Sequence, residues 1–151
     1  MRFKTVRDVV DFAKELHQAL ARQYTELEQL ATSERAQLLL DYLSRHERQL
    51  AEALGNYEVD IAQGMMNTWL QYTPDLEPQA LAETVRAVDL NQVDGIVKAA
   101  LAVDDQLVEL YREMVEHAEP ESLKTVFSGL LALEESERRQ IAKNALRLFD
   151  W

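Results

Sequence analysis

The sequence predicts an all-α protein built as a bundle of four long helices. Apolar residues recur at three- and four-residue spacing over four long stretches, as one buried face of an amphipathic helix requires. Only 4 glycines and 3 prolines are present, too few for a turn-rich β fold. The second half of the chain also repeats the helical pattern of the first.

At 151 residues and 47% hydrophobic content, residues 1–151 are expected to form a single domain with one core. There is no cysteine, which excludes disulfides, zinc knuckles and thiol catalysis. Acidic residues number 27 against 16 basic, a formal charge of −11 that repels nucleic-acid phosphates and anionic lipid. No nucleic acid and no membrane is therefore expected as a partner. No apolar run reaches the length of a signal or membrane segment, so a cytoplasmic location is expected.

The first helix is expected over 5–31, with Val9, Val10, Ala13, Leu16, Leu20, Tyr24 and Leu27 on its inner face. Thr5 and Asp8 suit its capped start, and Thr32-Ser33 separates it from the next helix. The second is expected over 33–54, burying Leu39, Tyr42, Leu43, Leu50 and Leu54, with Gly55-Asn56 as its stop. Together they make a helical hairpin over 5–55.

Residues 56–92 contain Gly64, Pro74 and Pro78 and follow no single helical pattern. They are expected to form a crossover with short helices over 60–72 and 78–88, long enough to return the chain along the whole bundle. Met65, Met66 and Trp69 read there as core or interface filling. A second hairpin is expected over 93–148, its helices covering 93–118 and 120–148, with Pro120 opening the last. The terminal Phe149-Asp150-Trp151 is expected to place an aromatic against the bundle or a partner.

A shift of 87 residues lays the first helix on the third: Val6 on Val93, Val10 on Val97, Ala13 on Ala100, Leu20 on Leu107 and Tyr24 on Tyr111. A shift of 88 lays the second on the fourth, with Leu39 on Phe127, Leu43 on Leu131 and Glu47 on Glu135. One extra residue in the turn accounts for the difference. A duplicated hairpin brings equivalent positions around a pseudo-twofold axis, so inward-facing polar residues surround one central site.

In these positions the chain resembles the ferritin-like superfamily, and most closely its rubrerythrin-type members, across all four long helices. The resemblance implies a ferritin-like four-helix bundle with one long crossover and a site for two iron or manganese ions. The family pattern has a glutamate seven residues before a tyrosine on the first helix of each hairpin, and Glu-x-x-His on the second. Here His17 stands seven residues before Tyr24 and Asp104 seven before Tyr111, while Glu47 is followed three residues on by Leu50 and Glu135 by Arg138.

Seven residues at about 100° each return to nearly the same helix face, and three residues move about 60° round it. The expected interior site thus contains His17, Glu47, Asp104 and Glu135 as candidate metal ligands. Tyr24, Leu50 and Tyr111 line it. Arg138 compensates its charge, since a guanidinium takes a metal's place rather than ligating one. A protonated His17 is the other available cation. His46, Glu113, His117, Glu134 and Glu137 are assigned to solvated faces.

The expectation is a bundle with a degenerate di-metal site in a non-catalytic binding or structural role, without a cofactor. The alternative is an iron- or manganese-dependent oxidase or peroxidase with this unusual ligand set; an iron-storage subunit ranks last. A homodimer through the aromatic-rich crossover is the expected assembly.

Overall fold

The structure, a computed structural model, describes residues 3–70, 76–119 and 121–149, and of residues 146, 148 and 149 the backbone alone. It is all-helical, with α1 (Val6–Leu30), α2 (Glu34–Asp60), α3 (Gln63–Met66), α4 (Pro78–Glu83), a 3₁₀ turn (Thr84–Arg86), α5 (Val93–His117) and α6 (Glu121–Phe149). No described helix is long and apolar enough to cross a membrane.

The Asp8 carboxylate fixes the start of α1 by accepting the backbone N–H groups of Lys4 and Thr5 at 2.8 and 3.1 Å. Ala31 is extended, and Ser33 caps α2 by accepting the Ala36 N–H at 3.1 Å. The expected stop at Gly55 is overridden, and α2 runs on to Asp60. A helical glycine costs only about 1 kcal/mol, and contacts beyond it hold the last turns in place. The Tyr57 hydroxyl donates to the Val126 carbonyl at 2.8 Å, and Glu58 pairs with Lys14 at 2.9 Å.

The crossover is less helical than expected. Of the described residues 60–70, only Gln63–Met66 forms a new helix, because the following backbone bonds to the N-terminal segment: Leu70 N–H to Lys4 O at 2.8 Å and Val6 N–H to Thr68 O at 3.2 Å. Thr5 and Trp69 form an isolated antiparallel bridge. Met66 is buried, Met65 is half-buried and Trp69 is exposed. Pro78 opens α4 as expected, but the helix tightens at Thr84, whose hydroxyl donates to the Leu81 carbonyl at 2.7 Å. Leu81, Ala82 and Val85 bury this short segment, which packs on α1. The expected roles of Pro74, Pro120 and the terminal Asp150-Trp151 lie outside the described residues, as does the Phe149 side chain.

Pairings between the long helices establish their directions. Within the first hairpin, Thr25 and Ser44 meet near the turn while Lys14 and Glu58 meet far from it, so α1 and α2 are antiparallel. Between hairpins, Tyr42 meets Asn144 whereas Tyr57 meets Val126, so α2 and α6 are antiparallel as well. The Asp105–Arg138 and Arg112–Glu135 pairs run α5 antiparallel to α6. It follows that α2 and α5 point the same way. The chain must therefore travel back along the bundle between them, which is the geometric task of the crossover.

The repeat survives in three dimensions with a single shift. Val6 and Val93, Leu30 and His117, and Glu34 and Glu121 each stand 87 residues apart, so the helix starts match in both hairpins. No residue is inserted in the second turn. Buried positions of α2 and α6 pair at the same interval: Leu40 with Phe127, Leu43 with Leu130, and Leu54 with Ile141. One apolar core runs through all six helices.

Candidate functional site

Four ionisable side chains meet in this core, one from each long helix. His17 comes from α1, Glu47 from α2, Asp104 from α5 and Glu134 from α6, and none is more than 1% exposed. His17 and Asp104 are equivalent under the 87-residue shift, as are Glu47 and Glu134. Each occupies an inward position at helical spacing: Ala13, His17, Leu20 and Tyr24 on α1, and Phe127, Leu130, Glu134 and Ile141 on α6. One heptad beyond His17 and Asp104, Tyr24 and Tyr111 are fully buried.

His17 lies between two carboxylates. Its Nδ1 is 2.5 Å from Glu47 Oε2, and its Nε2 is 3.2 Å from Glu134 Oε2. Both ring nitrogens face carboxyl oxygens, an arrangement that suits an imidazolium donating from each nitrogen. Burial alone would disfavour that cation. The charges of Glu134 and Glu47, with the hydrogen bonds to both, outweigh burial and hold the His17 pKa well above the ordinary histidine value.

Asp104 behaves in the opposite sense. Burial, then the negative charges of Glu47 and Glu134, push its carboxyl well above the usual range, and a side-chain hydrogen bond with Glu134 adds to the shift. The tyrosines are kept neutral: burial, Glu47 and Asp104 raise Tyr24, while burial and Glu134 raise Tyr111. Tyr24 Oη, Tyr111 Oη, Asp104 Oδ2 and Glu134 Oε1 are buried without a hydrogen-bond partner.

The structure brings together His17, Glu47, Asp104, Tyr24 and Tyr111 as expected, but replaces two residues of the predicted set. Glu135 is 34% exposed and faces Arg112 at 3.7 Å and Arg139 at 4.0 Å. Arg138 is 35% exposed and binds Asp105 through two nitrogens, so it compensates a surface carboxylate rather than the interior. Both line an outer groove of about 340 Å³ beside Val108 and Glu109. The physical reason is a register one residue, or about 100°, away from the expected one. Leu50 is buried one turn beyond Glu47 and supplies no donor.

Two further residues leave the solvated faces assigned to them. His46 is buried, its Nε2 2.7 Å from Glu137 Oε2, in a contact that lacks hydrogen-bond geometry. Its ring lies beside Tyr42, whose hydroxyl accepts from Asn144 Nδ2 at 2.8 Å. Glu137 occupies the position equivalent to Leu50. Retaining the 87-residue shift through the second helix pair would have selected Glu134 and Glu137 from the sequence.

The chain matches no family model, no curated protein and no solved structure. The interior chemistry must speak for itself. Among the described residues, no group of three or more His, Cys, Asp or Glu side chains is placed to hold a metal ion. Both His17 nitrogens face carboxylates, Glu137 faces His46, and Leu50 is apolar. The arrangement does not fit a two-metal centre of the kind the resemblance implies. It is a closed histidine–carboxylate cluster.

Proposed function

We propose that this protein is a ferritin-like bundle serving a non-catalytic binding or structural role, its interior occupied by a fixed polar cluster instead of a reactive centre. The reading rests on His17, whose two ring nitrogens are engaged by carboxylates from different hairpins, so that neither is open to a substrate. The parallel course of α2 and α5, with one long crossover between them, supports the ferritin-like assignment. In this reading the cluster ties the two hairpins together from inside. A cytoplasmic location and a homodimer that covers the exposed Trp69 of the crossover belong to the same proposal, and sedimentation measures the dimer.

The test is anaerobic reconstitution with ferrous iron or manganese, followed by desalting and elemental analysis. We expect well under one ion per chain and a urea midpoint that chelators leave unchanged. One observation favours a second reading as a metal-dependent oxidase or peroxidase: Asp104 Oδ2 and Glu134 Oε1 are buried without partners. Uptake of one or two ions per chain, lost in Glu134→Ala, would establish that reading and remove the first.

A further inference from the structure

We infer that His17 is the resident cation of the bundle, an organic charge standing where a carboxylate bundle would otherwise require a metal ion. The inference rests on the non-catalytic reading above and deepens it, by naming what holds three buried acidic side chains together.

Glu47, Asp104 and Glu134 come from three helices, and carboxylates so placed repel one another in a medium that screens poorly. Buried acids so placed need positive charge beside them or must take up protons. Arg138, the other candidate, is outside and held by Asp105. The remaining basic side chain at the centre is His17, and it sits between the two equivalent glutamates, one on each side of the pseudo-twofold axis. The ring spans the two glutamates, with one nitrogen facing each.

The exchange also explains the asymmetry between His17 and its equivalent Asp104. One ring already faces both glutamates, so the equivalent position need not supply a second. The equivalent position instead carries Asp104, whose carboxyl is held well above the usual range by burial and by the charges of Glu47 and Glu134.

This account makes the occupant replaceable by another cation of similar shape. His17→Ala removes the ring and leaves a space bordered by acidic groups. Imidazole in the medium should enter as imidazolium and raise the melting temperature of the variant by several degrees, while leaving the wild type unchanged. Pyrazole has the same ring size but lacks a comparably basic nitrogen, and should not rescue. Equal rescue by both would show that the space needs only filling and would overturn the inference without touching the non-catalytic reading. Metal uptake by the wild type, by contrast, would overturn that reading itself.

A companion variant, His17→Glu, should acquire manganese on reconstitution where the wild type does not, because a fourth acid restores the demand for an external cation. Failure of the folded variant to do so counts against the inference. Where neither variant folds, nitrogen-15 spectra of the wild-type His17 ring decide: two protonated nitrogens are expected at neutral pH, and a neutral tautomer overturns the assignment.

Discussion

At the scale of single residues, the clearest consequence concerns two adjacent glutamates. Glu134 is buried against His17, whereas Glu135 is part of the outer charge pattern of α6. Removing one member of a buried ion pair strands the other, at a cost of about 3 to 5 kcal/mol, whereas an exposed pair contributes about 1 kcal/mol or less. Urea melts should show the larger loss for Glu134→Ala and the smaller for Glu135→Ala. Arg138→Leu belongs with the small effects, below about 1 kcal/mol. Equal losses at 134 and 135 would mean that the register of α6 is wrong. The sequence alone leaves this register ambiguous for a physical reason. Leu130-Leu131 and Glu134-Glu135 are paired neighbours, so two helix faces about 100° apart carry nearly the same apolar and acidic pattern. His17 and Glu47 have no such duplicate beside them and are legible at once, and Asp104 is singled out from Asp105 by standing seven residues before Tyr111.

At the scale of elements, the seam between α2 and α6 shows how a repeated hairpin accommodates unlike sequences. Tyr42 meets Asn144 on one side of the pseudo-twofold axis, and the equivalent positions on the other side hold Gly129 and Tyr57. On both sides the large residue comes from α2. A Cβ placed on Gly129 would lie 2.3 Å from Tyr57 Oη and 2.9 Å from its Cζ, while that hydroxyl is bound to the Val126 carbonyl. Gly129→Ala should therefore destabilise by about 1 to 3 kcal/mol through overpacking, despite alanine's better helix propensity. Gly55 has open space around it, so Gly55→Ala should stabilise by about 0.5 to 1 kcal/mol. Denaturant midpoints of the two variants should move in opposite directions. Long helices were readable from periodicity because each buries a continuous face. The extension of α2 past Gly55 and the shortness of α3 were not, since both depend on partners distant in sequence, Val126 for Tyr57 and Lys4 for Leu70.

At the scale of the whole molecule, four helices contribute to one set of linked protonation equilibria, and their signs agree. The His17 pKa in the fold is raised above its ordinary 6.5, so its stabilisation is complete below that value and is lost as pH rises through the folded pKa. Asp104 is raised above 3.8, and Tyr24 and Tyr111 above 10.0, so each likewise binds its proton more tightly in the folded protein. Stability should fall as pH climbs from about 6.5 through the raised His17 pKa, with a lower urea midpoint at the alkaline end. His17→Gln should flatten that slope, since glutamine cannot titrate. A slope of the same size in His17→Gln would assign the effect to other groups. The all-helical architecture and the crossover were legible from the chain; the closed state of the interior required knowing which atoms face which.

The most direct measurement of the central claim is the nitrogen-15 spectrum of the His17 ring in the wild-type protein at neutral pH. Protons on both Nδ1 and Nε2, exchanging slowly with solvent, are the predicted result. A ring with one unprotonated nitrogen would contradict an imidazolium between Glu47 and Glu134 and reopen the interior to a metal.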